Sequence, residues 1–377
     1  MRFAHISDLH LGKKLRRFSL IDDQRFILDR IADAVEENRC EGVLIAGDVY
    51  DKSAPSAEAM SLLDSFLTRL GAAGVQVFMI SGNHDNVRRV SYGSKLMELS
   101  GIYIASEFDG TVNKVTCTDR FGDIDIYMLP FIQPSSVRRF FPESQIEDFT
   151  SMMRAVTESI ILDESRRNVL ICHQFITGAV NCGSDTEPVG TLECIDADVF
   201  DRFDYVALGH IHSAYSIRKN IRYCGTPLKY SETESGQEKT MTIVDLGKKG
   251  ELTVSTVPLV PMRDLHCIKG DFRTLVSSDF LSRQNTEDYF SITLTDDEKI
   301  PEVFHRLENV YPYMIRLDFD NNRTRSLKQV RAVTDTEKKS PMELFTLLYE
   351  QQNNIKLTQE QRRYLDRVMQ EIWGEEE

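Results

Sequence analysis

Five short segments of this sequence end in side chains that can bind a metal ion or move a proton. They are Asp8-Leu9-His10, Gly47-Asp48, Gly82-Asn83-His84-Asp85, His173, and Gly209-His210-Ile211-His212. Five of the eight histidines fall in this set. A lone histidine is usually a satisfied structural residue, but the signal here is joint. Asp-x-His, Gly-Asp, Gly-Asn-His-Asp, His and Gly-His-x-His follow one another within the first 212 residues, an order that chance does not readily supply.

The residue types specify the chemistry. Two dications held close together repel, so an anion must sit between them, and Asp48 can give one carboxylate oxygen to each. Neutral imidazoles and an amide oxygen complete the shells without excess negative charge. Mixed nitrogen and oxygen donors favour manganese, iron or zinc over calcium. Ions about 3.5–4 Å apart can clamp a phosphate and lower the pKa of a water, whose hydroxide then attacks phosphorus in line. The expectation is a two-metal phosphoesterase site built from Asp8, His10, Asp48, Asn83, His84, His173, His210 and His212.

Each of these groups follows an apolar run. Residues 3–7 lead to Asp8, 43–46 to Asp48, 75–80 to Asn83, 169–172 to His173 and 205–208 to His210. Such runs, rich in β-branched residues, read as buried strands. Helical spacing lies between them: Phe26, Ile27, Ile31, Ala34 and Val35, then Leu62, Leu63, Phe66, Leu67 and Leu70. The alternation indicates α/β layers, in which ligands gather at the carboxyl ends of strands. Residues 135–168 read as largely helical, with Ile146, Phe149, Met152, Met153, Val156 and Ile160 on one side, and 213–258 as further strands with turns. A large first domain that carries the site is expected over 1–260 and a small α/β unit over 261–321, with strands near 265–268, 289–294 and 314–319. A polar linker over 322–340 and C-terminal helices over 341–377 follow. In the last helix Tyr364, Val368 and Ile372 recur every fourth residue, shadowed by Leu365, Met369 and Trp373, which gives a continuous apolar stripe on a charged helix.

The bulk properties limit the function classes. A length of 377 residues suits two or three domains, and 41% apolar with 28% charged residues is ordinary globular composition. The net charge of −14 argues against DNA binding through a general basic surface, though not against a DNA substrate. Seven cysteines without a Cys-x-x-Cys pair read as small core residues in a reducing compartment. No apolar run is long enough to span a membrane, residues 2–7 read as a strand and not a secretory signal, and a cytoplasmic location is expected. There is no Gly-x-x-x-x-Gly-Lys-Ser/Thr loop, so any ATPase must be another polypeptide.

The ordered motifs resemble those of the calcineurin-like metallophosphoesterase superfamily. More narrowly, His5-Ile6-Ser7-Asp8-Leu9-His10-Leu11-Gly12, Ala46-Gly47-Asp48-Val49-Tyr50-Asp51, Ser81-Gly82-Asn83-His84-Asp85, His173-Gln174-Phe175, Gly225-Thr226-Pro227 and Ser340-Pro341-Met342-Glu343-Leu344-Phe345 resemble the SbcD family of bacterial double-strand-break repair nucleases. The resemblance spans almost the whole chain. It implies a four-layer α-β-β-α sandwich with a small α/β capping domain that helps hold DNA, and a C-terminal helical hairpin. It also implies an exonuclease and endonuclease, hairpin cleavage included, that uses two divalent ions, taken as Mn²⁺. One ion would take Asp8, His10, Asp48 and His212; the other Asp48, Asn83, His173 and His210. His84 would stand beside the scissile phosphate and help protonate the leaving oxygen, with Asp85 orienting it. Asp51 stands near the position of a histidine in archaeal relatives, a departure that puts a substrate-positioning role in doubt and leaves a loop-structuring role open beside it. The implied partners are DNA and an SbcC-type coiled-coil ATPase, with a homodimer inside a heterotetramer formed through residues near 86–100 and 135–165.

Further residues carry two readings each. Lys13, Lys14, Arg16 and Arg17, and likewise Arg88 and Arg89, are either a solvated surface or a rim that contacts DNA phosphates. His5 reads as a core residue. Leu344, Phe345 and Leu348 with Tyr364, Leu365, Val368, Met369, Ile372 and Trp373 form either a self-packed helical hairpin or a docking site for the ATPase. Two rival functions are a protein phosphatase or small-nucleotide phosphodiesterase on the same site, and a non-catalytic scaffold. Against the first, the protein-phosphatase signature Gly-Asp-x-x-Asp-Arg-Gly is missing, because Lys52 and Ser53 follow Asp51, and a small-nucleotide enzyme rarely needs an extra cap and a partner-binding tail. The second would have no reason to keep every ligand.

Overall fold

A computed structural model describes residues 1–176, 194–322 and 357–373, together with 342, 345, 346 and 349. It divides into two compact units, Met1–His266 and Cys267–Glu377.

The apolar runs of the first unit do form strands, and they sort into two six-stranded sheets. One runs Leu252–Pro258, Thr240–Leu246, Arg2–Ile6, Gly42–Ala46, Gln76–Ile80, Ile102–Ala105. The other runs Tyr215–Arg218, Ile221–Tyr223, Tyr205–Gly209, Arg167–His173, Gly122–Leu129, Asn113–Asp119. In the first sheet Arg2–Ile6, Gly42–Ala46, Gln76–Ile80 and Ile102–Ala105 are mutually parallel. In the second, Gly122–Leu129, Arg167–His173 and Tyr205–Gly209 are parallel. Parallel strands direct all their carboxyl ends to one edge.

Alternation along each strand sends one set of side chains between the sheets. Phe3, Leu44, Ala46, Phe78 and Ile80 meet Ile124, Ile126, Val169, Ile171, Tyr205 and Ala207 there. Helices cover the outer faces. Helix Ile21–Glu37 buries Ile27, Leu28, Ile31 and Val35, and helix Ala57–Ala72 buries Leu62, Leu63, Phe66, Leu67 and Leu70. Ser56 caps the second by accepting from Ala59 N at 3.2 Å. On the far side of the second sheet, helix Phe149–Ser159 packs Met152, Met153 and Val156 against Leu170, Val206 and Leu208. The result is the expected α-β-β-α layering.

The 135–168 stretch is less helical than its apolar spacing suggests. One short turn, Pro134–Val137, precedes the helix Phe149–Ser159. Pro142 cannot donate a helical hydrogen bond, and Asp148 starts the helix by accepting from Ser151 N at 2.7 Å. Ile146 lies before that start yet still packs in the same cluster.

The second unit is built on a three-stranded sheet in the order Leu265–Gly270, Tyr289–Leu294, Met314–Phe319. Short helices Phe272–Leu275, Ser278–Leu281 and Val303–Glu308 accompany it. Phe272, Leu275, Phe290, Ile292, Leu294, Leu307, Tyr311 and Met314 form its core. Helix Gln359–Trp373 leaves Tyr364 exposed and Leu365, Val368 and Met369 half-buried. Leu344, Leu348, nearly all of the 322–340 linker, and the side chains of Ile372 and Trp373 lie outside the described residues. Cys40, Cys117, Cys172 and Cys224 are buried free thiols, as a core reading requires, but Cys194 is half-buried and Cys267 exposed, so the core reading does not extend to them, and Cys182 lies outside the described residues. No helix among the described residues is long and apolar enough to cross a membrane.

Candidate metal centre

The carboxyl ends of five parallel strands, three from one sheet and two from the other, meet at one place. The turns that follow them are tight, and Asp8, His10, Asp48 and His210 all adopt positive φ, at 51°, 43°, 48° and 94°. Backbone bonds interlock the turns: Asp8 N donates to Gly47 O at 3.0 Å, His10 N to Asp48 O at 3.0 Å, and His210 N to the Asp8 carboxylate at 3.1 Å. His173 Nδ1 donates across the sheet interface to Ala46 O at 2.7 Å. Close approach also restricts Gly82, where an added Cβ would lie 2.1 Å from Asp48 Oδ1.

Asp48 is central. Its Oδ1 accepts from His84 N at 2.9 Å, and its Oδ2 lies 3.3 Å from His173 Nε2 and 3.9 Å from His10 Nε2. On one side of it, Asp8, His10 and His212 offer donor atoms within 4.8 Å of one another, and Asp8, Asp48 and His173 do the same on the other. Asp8 thus belongs to both groups, whereas the family resemblance gives it to one ion. Asn83 Oδ1 completes the second side, 3.0 Å from His173 Nε2 and 3.1 Å from His210 Nδ1.

The donor set fits divalent cations. The His173 Nδ1 proton is committed to Ala46 O, which turns Nε2 toward two oxygens, Asp48 Oδ2 and Asn83 Oδ1, a place that a proton or a metal ion can fill. Such a convergence of acceptors needs a positive charge. Burial alone would depress the His173 imidazole, but the Asp48 carboxylate lifts it to about 9, the response of a site that calls for cation. Burial likewise raises the Asp8 carboxyl and depresses the His10 and His210 imidazoles, to about 3 for His210. His10 Nε2 faces His212 Nε2 at 3.3 Å, and the buried His10 Nδ1 has no hydrogen-bond partner among the described residues.

His84 differs from the others. Its side chain is 30% exposed, its ring stands edge-on to His10 with centroids 5.0 Å apart, and its Nε2 is 4.0 Å from Asp48 Oδ2. Its Nδ1 lies 3.2 Å from the Asp51 carbonyl oxygen. Asp85 does not orient this ring, contrary to expectation. Its carboxylate is committed to three backbone donors, Val49 N at 3.0 Å, Tyr50 N at 2.9 Å and Gly82 N at 2.9 Å. Burial, reinforced by Asp48, raises it to about 6. Asp85 therefore pins the Gly47-Asp48 turn to the Gly82-Asn83 turn, and the backbone of Asp51 holds His84.

The basic rim divides. Lys13 is buried, with Nζ 3.1 Å from Asp51 Oδ1 and stacked over Tyr230, so it braces the loop. Lys14, Arg16 and Arg17 are exposed, with Arg16 3.5 Å from Glu232, and Arg88 and Arg89 are exposed too. His5 is buried in the core against Tyr205 OH, at 2.9 Å.

Three positions escaped sequence reasoning. Gln24, fully buried, donates to His10 O at 2.8 Å and accepts from Gly12 N at 2.9 Å, bracing the first turn. Its signal was a polar residue on the apolar face of a helix. Glu234 and Lys239 form a buried pair behind His212. No spacing relates them to the ligand motifs.

The calcineurin-like phosphoesterase family profile matches residues 1–214. A second profile, described as the type 5 capsule protein repressor C-terminal domain, matches 261–353. The SbcD subunit of the nuclease SbcCD from Staphylococcus epidermidis is 32% identical over 89% of this chain and 90% of its own length. The corresponding Staphylococcus saprophyticus protein is 32% identical over 84% of each. Among solved structures, a dimetal phosphatase from Danio rerio is 12% identical with a TM-score of 0.40, covering 69% of this chain and 96% of its own. The layered fold, the strand-end cluster and the near full-length relatives lead to one conclusion: the chain belongs to the SbcD family of nuclease subunits, within the calcineurin-like phosphoesterases.

Proposed function

We propose that this chain is a DNA nuclease subunit that hydrolyses phosphodiesters at duplex ends and at hairpins, together with an SbcC-type coiled-coil ATPase. The observation that carries the reading is the Asp48 carboxylate set between His10 and His173, with a half-buried His84 beside it, on a chain of this family. Asp8, His10, Asp48 and His212 would hold one divalent ion, and Asp48, Asn83, His173 and His210 a second; the donor set suits manganese, iron or zinc, and the family resemblance selects Mn²⁺ among them. When bound, the ions supply Lewis acidity to the phosphoryl group and to the attacking water.

The chain's own groups do the rest. His84 donates its Nδ1 proton to Asp51 O, which fixes the ring and leaves Nε2 directed to the site. In its protonated form the ring can hydrogen-bond a phosphoryl oxygen through Nε2–H and transfer that one proton to the leaving oxygen, which leaves the imidazole neutral. Gln24 and Asp85 brace the turns that carry the candidate ligands.

The surroundings support the assembly. Tyr92, Leu96 and Leu99 in the 86–100 segment are exposed apolar side chains, suited to a second copy of the chain and hence to a homodimer within a heterotetramer. The 261–321 domain serves as a DNA cap, and the 341–377 helices, with their apolar stripe, dock the ATPase in the cytoplasm.

The test is His84→Ala. The variant should bind the same number of Mn²⁺ ions and cut linear duplex DNA about 10²–10⁴-fold more slowly. Undiminished cleavage would remove His84 from the mechanism. Hydrolysis of a small chromogenic diester without any cleavage of duplex or hairpin DNA would overturn the substrate assignment.

A further inference from the structure

Three of the histidines at the centre are backed in different ways. His173 is backed by a neutral carbonyl, Ala46 O at 2.7 Å, and His210 is flanked by the Phe131 and Phe175 rings. His212 instead points Nδ1 at a carboxylate, Glu234 Oε1, at 3.0 Å.

Glu234 is 0% exposed and fully committed. Its Oε2 accepts from Lys239 Nζ at 2.5 Å and from Thr226 Oγ1 at 3.2 Å. Lys239 Nζ also donates to the backbone oxygen of His212 at 3.0 Å and to Gln237 Oε1 at 2.8 Å. The buried cation therefore does two things. It neutralises Glu234, which would otherwise be a costly buried charge, and it anchors the His212 main chain. His212 is fixed at both ends, with the proton on Nδ1 and the Nε2 lone pair turned toward His10 and Asp8.

A carboxylate behind an imidazole sets its tautomer and raises its basicity as a ligand, and losing such a partner typically weakens metal binding about 10–100-fold. We infer that Glu234, clamped by Lys239, is a positioning residue that makes the cluster of Asp8, His10 and His212 the tighter of the two ion sites, so that it fills first. This rests on the two-ion reading above.

Mn²⁺ titration of the metal-free full-length protein, followed by the loss of the free-ion EPR signal and by calorimetry, tests the inference. The wild type should take up two ions in two affinity classes. Glu234→Gln should weaken the tight class about 10–100-fold and leave the weak class in place. Glu234→Gln leaves Lys239 without its counter-charge, so the double variant Glu234→Gln/Lys239→Met guards against a folding defect. It should melt cooperatively without metal and show the same selective loss. Two unchanged classes in either folded variant, or a loss confined to the weak class, would overturn the assignment of Glu234 alone. A wild-type stoichiometry below two ions would overturn the two-ion reading, and this inference with it.

Discussion

At the scale of single residues, Asp85 and His84 are chain neighbours with opposite kinds of work. Asp85 gives its carboxylate to Val49 N, Tyr50 N and Gly82 N, all in turns that carry candidate ligands. Asp85→Ala would strand three backbone donors in a partly buried place. At about 1–3 kcal/mol for each unmet donor, and with the usual lack of additivity, a loss of roughly 3–5 kcal/mol is expected. Denaturant unfolding of the metal-free protein measures it. His84→Ala should stay within about 1 kcal/mol of wild type in the same experiment, because its ring is partly exposed and makes one hydrogen bond. Equal destabilisation by the two would contradict this division. The sequence shows both residues in one motif, Gly82-Asn83-His84-Asp85, but motifs do not disclose partners. Adjacency suggested that Asp85 orients His84, whereas a side chain follows its own rotamer and here turns to the neighbouring turn.

At the scale of elements, the strand-end positions were legible and their supports were not. Each of five ligand groups follows an apolar run, and the runs became parallel strands whose carboxyl ends converge. That part of the site is local: a strand, then a turn, then a donor. Glu234 and Lys239 reach His212 from a separate connection that follows the short strand Ile221–Tyr223, and only the folded chain brings them there. Lys13 was unreadable for a related reason. Its place in a basic run suggested a surface, but the fold sets Asp51 against it. The 135–168 stretch shows the reverse error, since apolar spacing continued through Pro142 where the helix could not. The turn at Gly82 offers a test at this scale. Gly82→Ala would drive a methyl group to 2.1 Å from Asp48 Oδ1. The turn must shift, at a cost of about 1–3 kcal/mol. Because Asp48 moves with it, Mn²⁺ affinity and DNA cleavage should both fall at least about tenfold while circular dichroism is unchanged. Wild-type metal binding would show that the turn can yield without disturbing Asp48.

At the scale of the whole molecule, a net charge of −14 must be reconciled with a polyanionic substrate. Long-range attraction does not favour it, so on the proposed reading exposed basic groups near the site would supply local phosphate contacts. With Lys13 paired to Asp51, Lys14, Arg16 and Arg17 are the exposed candidates beside the first turn. Changing all three to glutamine should lower the slope of log affinity against log salt by up to about 3, at roughly 0.9 per phosphate contact, with duplex DNA as ligand. An unchanged slope would assign these side chains to the solvated surface.

The positive φ angles of Asp8, His10, Asp48 and His210 have a bearing on substitution and transplantation. Among residues with a Cβ, asparagine, aspartate and histidine are the ones that most readily enter that region of backbone space. These are also the residues that offer hard oxygen and imidazole donors. Donor chemistry and turn geometry therefore select the same short alphabet, twice over. A glutamate or cysteine placed at Asp48 would bring a competent donor atom and a reluctant backbone. Grafting this centre onto another scaffold would accordingly mean grafting its turns first, with the ligands following as the residues those turns already prefer.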